Sequence, residues 1–381
     1  MKSFDEVKDS FCVLPFTHLA SHPNGDVTTC CESRYYAPDL NLNNDSVDKI
    51  RNNYLFEEVR QYMLQGKKHS SCDFCYKREE MGLRSKRQGE NEKFGFTSNT
   101  YRFFTNKPLI SAELRLGNTC NAKCLICHPH SSSKWNEDAH VLGIDKIVLS
   151  REWFKNFKVY DSIVTHSEHL THLWFNGGEP TLIKEHYYLL ERLIEVGRSK
   201  HIELEYHTNG TNLPQKLLSL WKNFKFVKVT LSIDDLHDRL FYSRFPTLHD
   251  TVYSNIKTLK RNDIHFDVIP SISLYNIFNV DYIYHFFKTE FEKDIQLNFV
   301  RYPQILSISN LPQEFREEVL GKFKHSNLPQ HYIDDIVYNF ENFPNKGVEK
   351  FIEYTKKLDT HRNVSIFDYL PEWNRWGKKV V

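Results

Sequence analysis

A chain of 381 residues with 40% hydrophobic and 14% aromatic side chains can bury a large core, and its length predicts one large domain with a smaller one. Fifty basic residues against forty-nine acidic ones give a formal net charge of +1, which excludes the overall basic footprint of a nucleic-acid-binding protein. No apolar run reaches membrane-spanning length, and the first ten residues lack the apolar stretch of a signal peptide. We therefore expect a cytoplasmic protein without a membrane partner.

The first hundred residues contain five of the eight cysteines: Cys12, Cys30, Cys31, Cys72 and Cys75. Because the cytoplasm keeps thiols reduced, such a group indicates metal ligands or reactive thiols rather than disulfides. The pattern over residues 11–19 predicts a strand, and a turn over residues 23–26 followed by the β-branched residues 27–29 predicts its antiparallel partner. Such a hairpin would bring Cys12 and Cys30 to the same end.

A predicted helix from Asp45 to Gly66 then leads to the pair Cys72 and Cys75. Together with the hairpin pair these thiols would form a four-thiolate site, with the fifth cysteine left over. Zinc and an iron–sulfur cluster both accept four thiolates, so spacing alone leaves both open. The residues from Lys67 to Lys93 are locally basic; a solvated face is the simpler interpretation, and a nucleic-acid contact is the alternative.

From about Lys107 the pattern alternates between strands and helices, which is typical of parallel βα units. The predicted strands are 110–116, 170–175, 202–207, 226–233, 266–272 and 295–300. The predicted helices between them are 153–167, 184–199, 214–223, 249–261 and 280–292. Residues 303–381 add two predicted helices, 312–325 and 347–360, and an aromatic end that we expect to pack over the open side of the sheet.

Polar loops follow the first four of these strands, and in parallel folds the functional site lies at the strands' carboxyl ends. The first loop carries Cys120, Cys124 and Cys127 in a C-x3-C-x2-C spacing. Three soft ligands in so short a loop suit an iron–sulfur cluster whose fourth ligand comes from elsewhere. A zinc site stays possible from the loop alone, because a nearby histidine, His128 or His130, could complete it.

The other three loops each allow an ordinary structural interpretation. Gly177-Gly178 before Glu179-Pro180 could be a plain turn, although glycines also let the backbone approach a ligand. Asn209-Gly210 could likewise be a turn. The last loop carries Ser232 and Asp234, and Arg244 further on could be a surface charge or a partly buried carboxylate binder.

Taken together, the cysteine loop, Gly177-Gly178-Glu179-Pro180, Thr208-Asn209-Gly210 and Ser232-Ile233-Asp234 resemble the radical S-adenosylmethionine (SAM) superfamily. The resemblance extends to about Val300. It implies a partial (β/α)6 TIM-like barrel and a [4Fe–4S] cluster on Cys120, Cys124 and Cys127 whose open iron binds SAM. It also implies that the following residues bind SAM: Gly177, Gly178, Glu179, Asn209, Ser232, Asp234 and Arg244.

The N-terminal cysteines resemble the SPASM/twitch auxiliary modules of that superfamily. The resemblance implies a second [4Fe–4S] cluster on Cys12, Cys30, Cys72 and Cys75, with Cys30 favoured over Cys31 by the Gly-x4-Cys spacing. In the superfamily this module usually follows the barrel, whereas here it precedes it, and Ile126 stands where an aromatic residue is common. We therefore expect an α/β protein with a twitch-like α+β module over residues 1–106, a barrel over 107–302 and a helical extension over 303–381.

The resemblance implies reductive cleavage of SAM to a 5′-deoxyadenosyl radical that abstracts hydrogen from a substrate, with electrons from a donor such as flavodoxin or ferredoxin. A peptide or protein side chain is the first expected substrate and a small metabolite the second. The alternative from another class is a non-catalytic zinc or iron–sulfur protein that contacts nucleic acid through the basic segment.

Overall fold

The computed structural model describes residues 2–33, 40–144 and 152–377. Its central sheet has seven strands in the order β2-β1-β3-β4-β5-β6-β7, and β8 and β9 form a second, two-stranded sheet. The strands are β1 (His18–Ser21), β2 (Val27–Thr28), β3 (Ser111–Arg115), β4 (His172–Asn176), β5 (Glu203–Thr208), β6 (Phe226–Leu231), β7 (His265–Val268), β8 (Ser271–Ile272) and β9 (Asn298–Phe299).

The strand pairs β1–β3, β3–β4, β4–β5, β6–β7 and β8–β9 are parallel, and the short β2 runs antiparallel against β1. The α/β class and the parallel sheet, which fit a partial TIM-like barrel, are thus confirmed. Strand β1 pairs with β3, with His18 opposite Ser111, so the N-terminal segment contributes a strand to the same sheet. This addition was not predicted, because a short strand carries no information about its partner.

Helices connect the strands and complete the C-terminal region. The longer ones are Val47–Arg51, Tyr54–Leu64, Asp73–Glu80, Lys86–Lys93, Tyr101–Thr105, Phe157–Thr165, His186–Glu195, Gln215–Trp221, His237–Ser243, His249–Arg261, Val280–Phe291, Gln313–His325, Gln330–Glu341 and Val348–Arg362. Four-residue helices lie at Phe4–Val7, Leu14–Thr17, Asn136–Ala139, Ile366–Tyr369 and Asn374–Gly377. None of the helices described here is both long and apolar enough to cross a membrane.

Buried and partly exposed side chains alternate along the strands, which explains why the strands form at the predicted positions. In β3 and β4 the buried residues Leu114 and Phe175 alternate with the partly exposed Glu113 and Trp174. A strand with a period of two presents one apolar face to packing helices and one polar face. The apolar face therefore fixes the register of the sheet, and each polar loop follows the end of a strand as predicted.

The predicted strand over residues 11–19 is wrong in its first part. Residues Leu14–Thr17 form a short helix with Pro15 in its first turn, and the strand begins only at His18. Proline suits the first turn of a helix because its fixed φ is already helical and its missing N–H would have no partner there. All four helical residues are buried, so the segment lacks the alternation of buried and exposed positions that would distinguish a helix from a strand.

Two other element predictions need correction. The predicted helix from Asp45 to Gly66 is two helices, because the Asn53 side chain caps the second by accepting from Leu55 N at 2.7 Å and Phe56 N at 3.0 Å. The predicted strand 266–272 is interrupted at Pro270, which has no N–H for a ladder hydrogen bond. The helices His237–Ser243 and Gln330–Glu341 were not predicted.

The chain divides into two compact units. The first comprises Met1–Thr119, Leu149–Tyr206 and Pro214–Val227, and the second comprises Cys120–Val148, His207–Leu213 and Lys228–Val381. In the second unit the aromatic C-terminal end packs inward: Trp373 is fully buried, with ring centroids 4.9 Å from Phe351 and 5.9 Å from Phe278. The domain boundaries expected from the sequence remain a prediction.

Candidate functional site

The loop that carries Cys120, Cys124 and Cys127 belongs to the second unit and is fixed by backbone hydrogen bonds to residues 243–245. Lys123 N donates to Phe245 O at 2.7 Å, and Leu125 N donates to Ser243 O at 2.9 Å. A fully buried indole adds a third contact, because Trp135 Nε1 donates to Cys124 O at 2.8 Å. The loop therefore has a defined path before any ligand is bound.

The three thiols of this loop lie in one electrostatic environment. Burial raises the pKa of Cys124 to about 11, and the charge of Cys120 adds to that increase. Burial also raises the pKa of Cys127, as do the charges of Cys124 and Cys120. Thiols in such surroundings become thiolates when a bound metal supplies positive charge. The donor set thus fits an iron–sulfur cluster, although no three His, Cys, Asp or Glu side chains among the described residues are placed to hold a metal ion.

A buried cation lies beside the cysteine loop. Arg244 is 8% exposed and its Nη1 donates to Asp234 Oδ2 at 2.8 Å. Burial alone would lower the pKa of Arg244, but the charges of Cys124 and Asp234 raise it above its usual range. Its Nε is buried and has no hydrogen-bond acceptor among the described residues. This free donor next to the thiols fits a bound carboxylate, as the resemblance implied.

Asp234 is buried and forms hydrogen bonds with several neighbouring residues. Its Oδ1 accepts from Ser271 N at 2.8 Å, and its carbonyl accepts from Asn276 Nδ2 at 2.6 Å. Ser232 N donates to Thr208 O at 2.9 Å, so its backbone continues the strand pairing. Asp234 is therefore placed to hold Arg244, and any contact of Asp234 or Ser232 with SAM stays a prediction.

Asn209 is tied to the cysteine loop directly. Its Nδ2 donates to Asn121 Oδ1 at 2.9 Å, and Asn121 Nδ2 in turn donates to Thr211 Oγ1 at 2.8 Å. Asn209 Oδ1 accepts from Thr211 N at 2.9 Å, which forms the local turn that the sequence favoured. The residue thus braces the loop between two cysteines; its predicted contact with SAM is untested.

A buried ion pair behind the loop was missed by the sequence analysis. Asp138, which is 0% exposed, accepts from Arg362 Nη2 at 2.7 Å, and Lys123 Nζ lies 3.4 Å from its other oxygen. The Arg362 guanidinium also lies over the Trp135 ring, 5.4 Å from its centroid. Because Asp138 and Arg362 are 224 positions apart in the chain, no local pattern could have indicated the pair.

The glycine loop after β4 lies in the first unit and packs against the backbone that precedes Cys120. Gly178 N donates to Gly117 O at 3.0 Å, and Glu179 N donates to Thr119 O at 2.8 Å. Gly177 has φ +126°, and a Cβ on it would come within 2.7 Å of Gly117 O. Glycine is thus needed here for close approach to the protein's own backbone.

The Glu179 side chain lies in the same loop and is 1% exposed. Its Oε1 accepts from Thr181 N at 3.1 Å and from Thr181 Oγ1 at 2.7 Å. Glu179 therefore helps to fix the loop, and the predicted contacts of Gly177, Gly178 and Glu179 with SAM stay predictions.

Replacing Gly178 with alanine should destabilise the protein by about 1–3 kcal/mol, because the new Cβ would clash with Thr119 O and with the Asn118 carbonyl carbon. Urea unfolding of the metal-free protein measures the change. Gly321→Ala is a matched control: Gly321 lies in the helix Gln313–His325 with no atom within 4 Å of its added Cβ, so we expect equal or slightly higher stability. Equal stability of Gly178→Ala and wild type would contradict the tight packing.

The second thiol group lies in the first unit, where Cys12, Cys30, Cys72 and Cys75 line one cavity. Burial raises the pKa of Cys12 well above its usual range, and the charges of the other three cysteines raise it further. Burial likewise raises the pKa of Cys72 to about 11. The four thiols thus line one cavity, and thiolates are the type of ligand that an iron–sulfur cluster or zinc takes.

Cys31 is placed differently from these four. It is absent from the residues that line the described cavity, and its pKa is raised first by burial and then by the Glu113 charge. The Lys86 ammonium forms a hydrogen bond with its sulfur, which opposes that rise. Cys31 therefore does not line the cavity, but it stays close to Cys30, whose pKa is raised by burial and then by the Cys31 charge.

The basic segment from Lys67 to Lys93 forms the helices Asp73–Glu80 and Lys86–Lys93. Its charges are largely paired within the segment: Arg87 Nη2 lies 2.6 Å from Glu79 and Lys68 Nζ lies 3.1 Å from Glu80, and Arg84 pairs with Glu92. Pairing of this kind fits the solvated face that the sequence favoured.

Comparison with known proteins identifies one part of the chain. Residues 114–287 match the family model described as Radical SAM superfamily. This range contains the three-cysteine loop, the glycine loop, Asn209, Asp234 and Arg244. This range is therefore similar to radical SAM domains, as the resemblance implied.

Individual relatives are distant. A GTP 3′,8-cyclase of Actinobacillus succinogenes is 26% identical over 129 residues, which cover 34% of this chain and 34% of that protein. A cysteine-type anaerobic sulfatase-maturating enzyme of Clostridium novyi is 24% identical over 203 residues, covering 51% of this chain and 50% of that protein. The structure of Streptococcus suis SuiB bound to precursor peptide SuiA is 14% identical, with a TM-score of 0.39 and coverage of 82% of this chain and 67% of that chain. The chain thus spans half or less of the length of the two relatives matched by sequence.

Proposed function

We propose that this protein is a radical SAM enzyme that modifies a peptide or protein side chain. The observation that carries the proposal is the cysteine loop inside the range that matches the radical SAM family: three thiols whose charges act on one another, of which Cys124 is buried, next to the buried cation Arg244. Thiolates are the ligands that iron–sulfur clusters use, and three of them leave one iron free for another ligand.

The chain's own residues would hold and orient the cofactors. Cys120, Cys124 and Cys127 would ligate a [4Fe–4S] cluster, and the free Nε of Arg244 would receive the SAM carboxylate. Gly177, Gly178, Glu179, Asn209, Ser232 and Asp234 are the further SAM contacts that the resemblance implies. When bound, the cluster and SAM supply the electron and the radical that remove a substrate hydrogen; the protein supplies orientation and a dry cavity.

The names of these two relatives bear on the substrate. The longer of the two sequence matches is to a sulfatase-maturating enzyme, whose name describes action on another protein, and this supports a peptide or protein substrate. A small metabolite is the second candidate, because the shorter match is to a GTP cyclase. An electron donor such as flavodoxin or ferredoxin and a cytoplasmic location complete the proposal.

The test is anaerobic. The full chain is reconstituted with iron and sulfide, reduced with dithionite and given SAM, and we expect 5′-deoxyadenosine and methionine as products. If none forms while both clusters are intact and candidate peptides are present, the enzyme proposal fails, and the non-catalytic zinc or iron–sulfur protein becomes the better explanation.

We further propose that Cys12, Cys30, Cys72 and Cys75 hold an auxiliary [4Fe–4S] cluster. Cys72→Ala should lower the iron content from about eight to about four atoms per chain while SAM cleavage continues, because the radical SAM cluster keeps its three ligands. Cys31→Ala is the matched control and should keep the full iron content. Loss of SAM cleavage in Cys72→Ala with the first cluster still loaded would contradict separate roles, and zinc in place of iron would contradict the cluster.

A further inference from the structure

A cavity of about 450 Å³ opens beside Cys127 in the second unit. It lies between the residues that follow the cysteine loop, the segment around Pro303, and one face of the helix Val348–Arg362. A volume of this size is in the range of sites that bind small molecules or a few residues of a peptide. The helix comes from the C-terminal region, outside the range that matches the radical SAM family.

The inner walls of the cavity are apolar. Leu142, Ile144 and Ile305 line it together with the buried ring of Trp135. Ile144 is 38% exposed, which leaves apolar surface that an apolar group of a bound molecule could cover.

The helix Val348–Arg362 contributes charged side chains of alternating sign to the cavity. Lys350, Glu353 and Lys357 all line it, and their spacing of three and four positions places them on one helical face. Lys357 Nζ lies 2.9 Å from Glu353 Oε1, whereas Lys350 has no ion pair with a described residue. Both lysines lower the pKa of the Glu353 carboxyl, so this side holds one excess positive charge.

Tyr354 lies on the same face and lines the cavity close to Cys127. Burial raises the pKa of its phenol above its usual range, and the Cys127 charge adds to the increase. Its hydroxyl makes no hydrogen bond to a described residue, so it is free to bond with a molecule in the cavity. The cavity thus combines apolar walls, one uncompensated ammonium group and one free hydroxyl near the proposed cluster.

We infer that this cavity is the substrate site and takes a peptide segment in which an apolar side chain stands next to an acidic one. The apolar side chain would pack against Leu142 and Ile305, the carboxylate would pair with Lys350, and Tyr354 would bond to the peptide backbone. A nucleotide fits less well, because its phosphates carry several negative charges and only one cation that lines the cavity is uncompensated. The inference rests on the proposed function and specifies its substrate class.

The test uses the cluster-loaded full chain and three fluorescein-labelled probe peptides, Ser-Gly-Asp-Leu-Asp-Gly-Ser and its versions with lysine or serine in place of aspartate. By fluorescence anisotropy the aspartate peptide should bind at least about tenfold more tightly than the lysine peptide, and 0.5 M NaCl should shrink that difference. Lys350→Glu should remove or reverse the preference. Ile305→Trp, which fills the cavity, should weaken binding of all three peptides about tenfold.

Lys356→Glu is the matched control, because Lys356 is exposed on the same helix but is not among the residues that line the cavity. It should bind the three peptides as the wild type does. Equal binding of the peptides, or binding of none, by protein that cleaves SAM with dithionite would overturn this inference alone. Absence of SAM cleavage with intact clusters would instead count against the proposed function.

Discussion

Cys124→Ala should reduce 5′-deoxyadenosine formation to background in reconstituted protein. Cys124 is the buried central member of the three-thiol loop, and its removal leaves two protein ligands for the proposed cluster. Loss of residues that merely support a metal ligand costs about 10–100-fold in affinity or activity, so loss of a ligand itself should exceed about 100-fold. Product analysis after anaerobic reduction, with iron content and the electron paramagnetic resonance signal measured on the same sample, checks the result.

Cys31→Ala serves as the control for this variant too. Cys31 is a partly buried cysteine of the same chain that does not line the cavity of the other four N-terminal cysteines. We expect it to retain SAM cleavage and both clusters. Continued cleavage by Cys124→Ala at the wild-type rate would show that the loop does not hold the cluster.

Asp138→Ala should lower the free energy of unfolding by about 3–5 kcal/mol, because it leaves the buried guanidinium of Arg362 without its carboxylate. The loss should also loosen the cysteine loop, since Lys123 and Trp135 of the same network contact Asp138 and Cys124 respectively. Urea unfolding of the metal-free protein measures the change in stability. Iron content after reconstitution shows whether the cysteine loop still binds its cluster.

Two further variants distinguish the cost of leaving a buried charge unpaired from the cost of simply losing side-chain contacts. The double variant Asp138→Leu/Arg362→Leu should recover part of the stability, because no unpaired charge stays buried. Breaking the exposed pair of Arg375 and Glu318 by Arg375→Met should cost no more than about 1 kcal/mol. A similar small effect for Asp138→Ala would contradict the role of the buried pair.

The sequence predicted most of the strands and the long helices correctly because their signals are local. The helix His249–Arg261 has the predicted bounds, and β3, β4 and β5 lie within a residue or two of their predicted ranges. Apolar residues at a period of two or near 3.6 fix which face is buried, whatever the partner. The break at Asn53 also has a local signal, because asparagine favours the N-cap position of a helix.

Other features had no signal near them. Leu14–Thr17 is buried on all sides, and a short apolar run of that kind does not distinguish a helix from a strand. The pairing of β1 with β3 joins segments about ninety positions apart. Arg362, which pairs with Asp138 behind the cysteine loop, is the last residue of the helix Val348–Arg362. The sequence-based prediction ended this helix at Thr360, two residues too early.

By itself the sequence determined the spacing of Cys120, Cys124 and Cys127 and their place after a strand, because both depend on neighbouring residues. The cysteine spacing also indicated a site on Cys12, Cys30, Cys72 and Cys75, and the tertiary structure shows these four lining one cavity that Cys31 does not line. It alone placed Arg244 beside the thiols and Arg362 on Asp138. Which distant side chains meet depends on how the buried faces pack, and that information is spread over the whole chain.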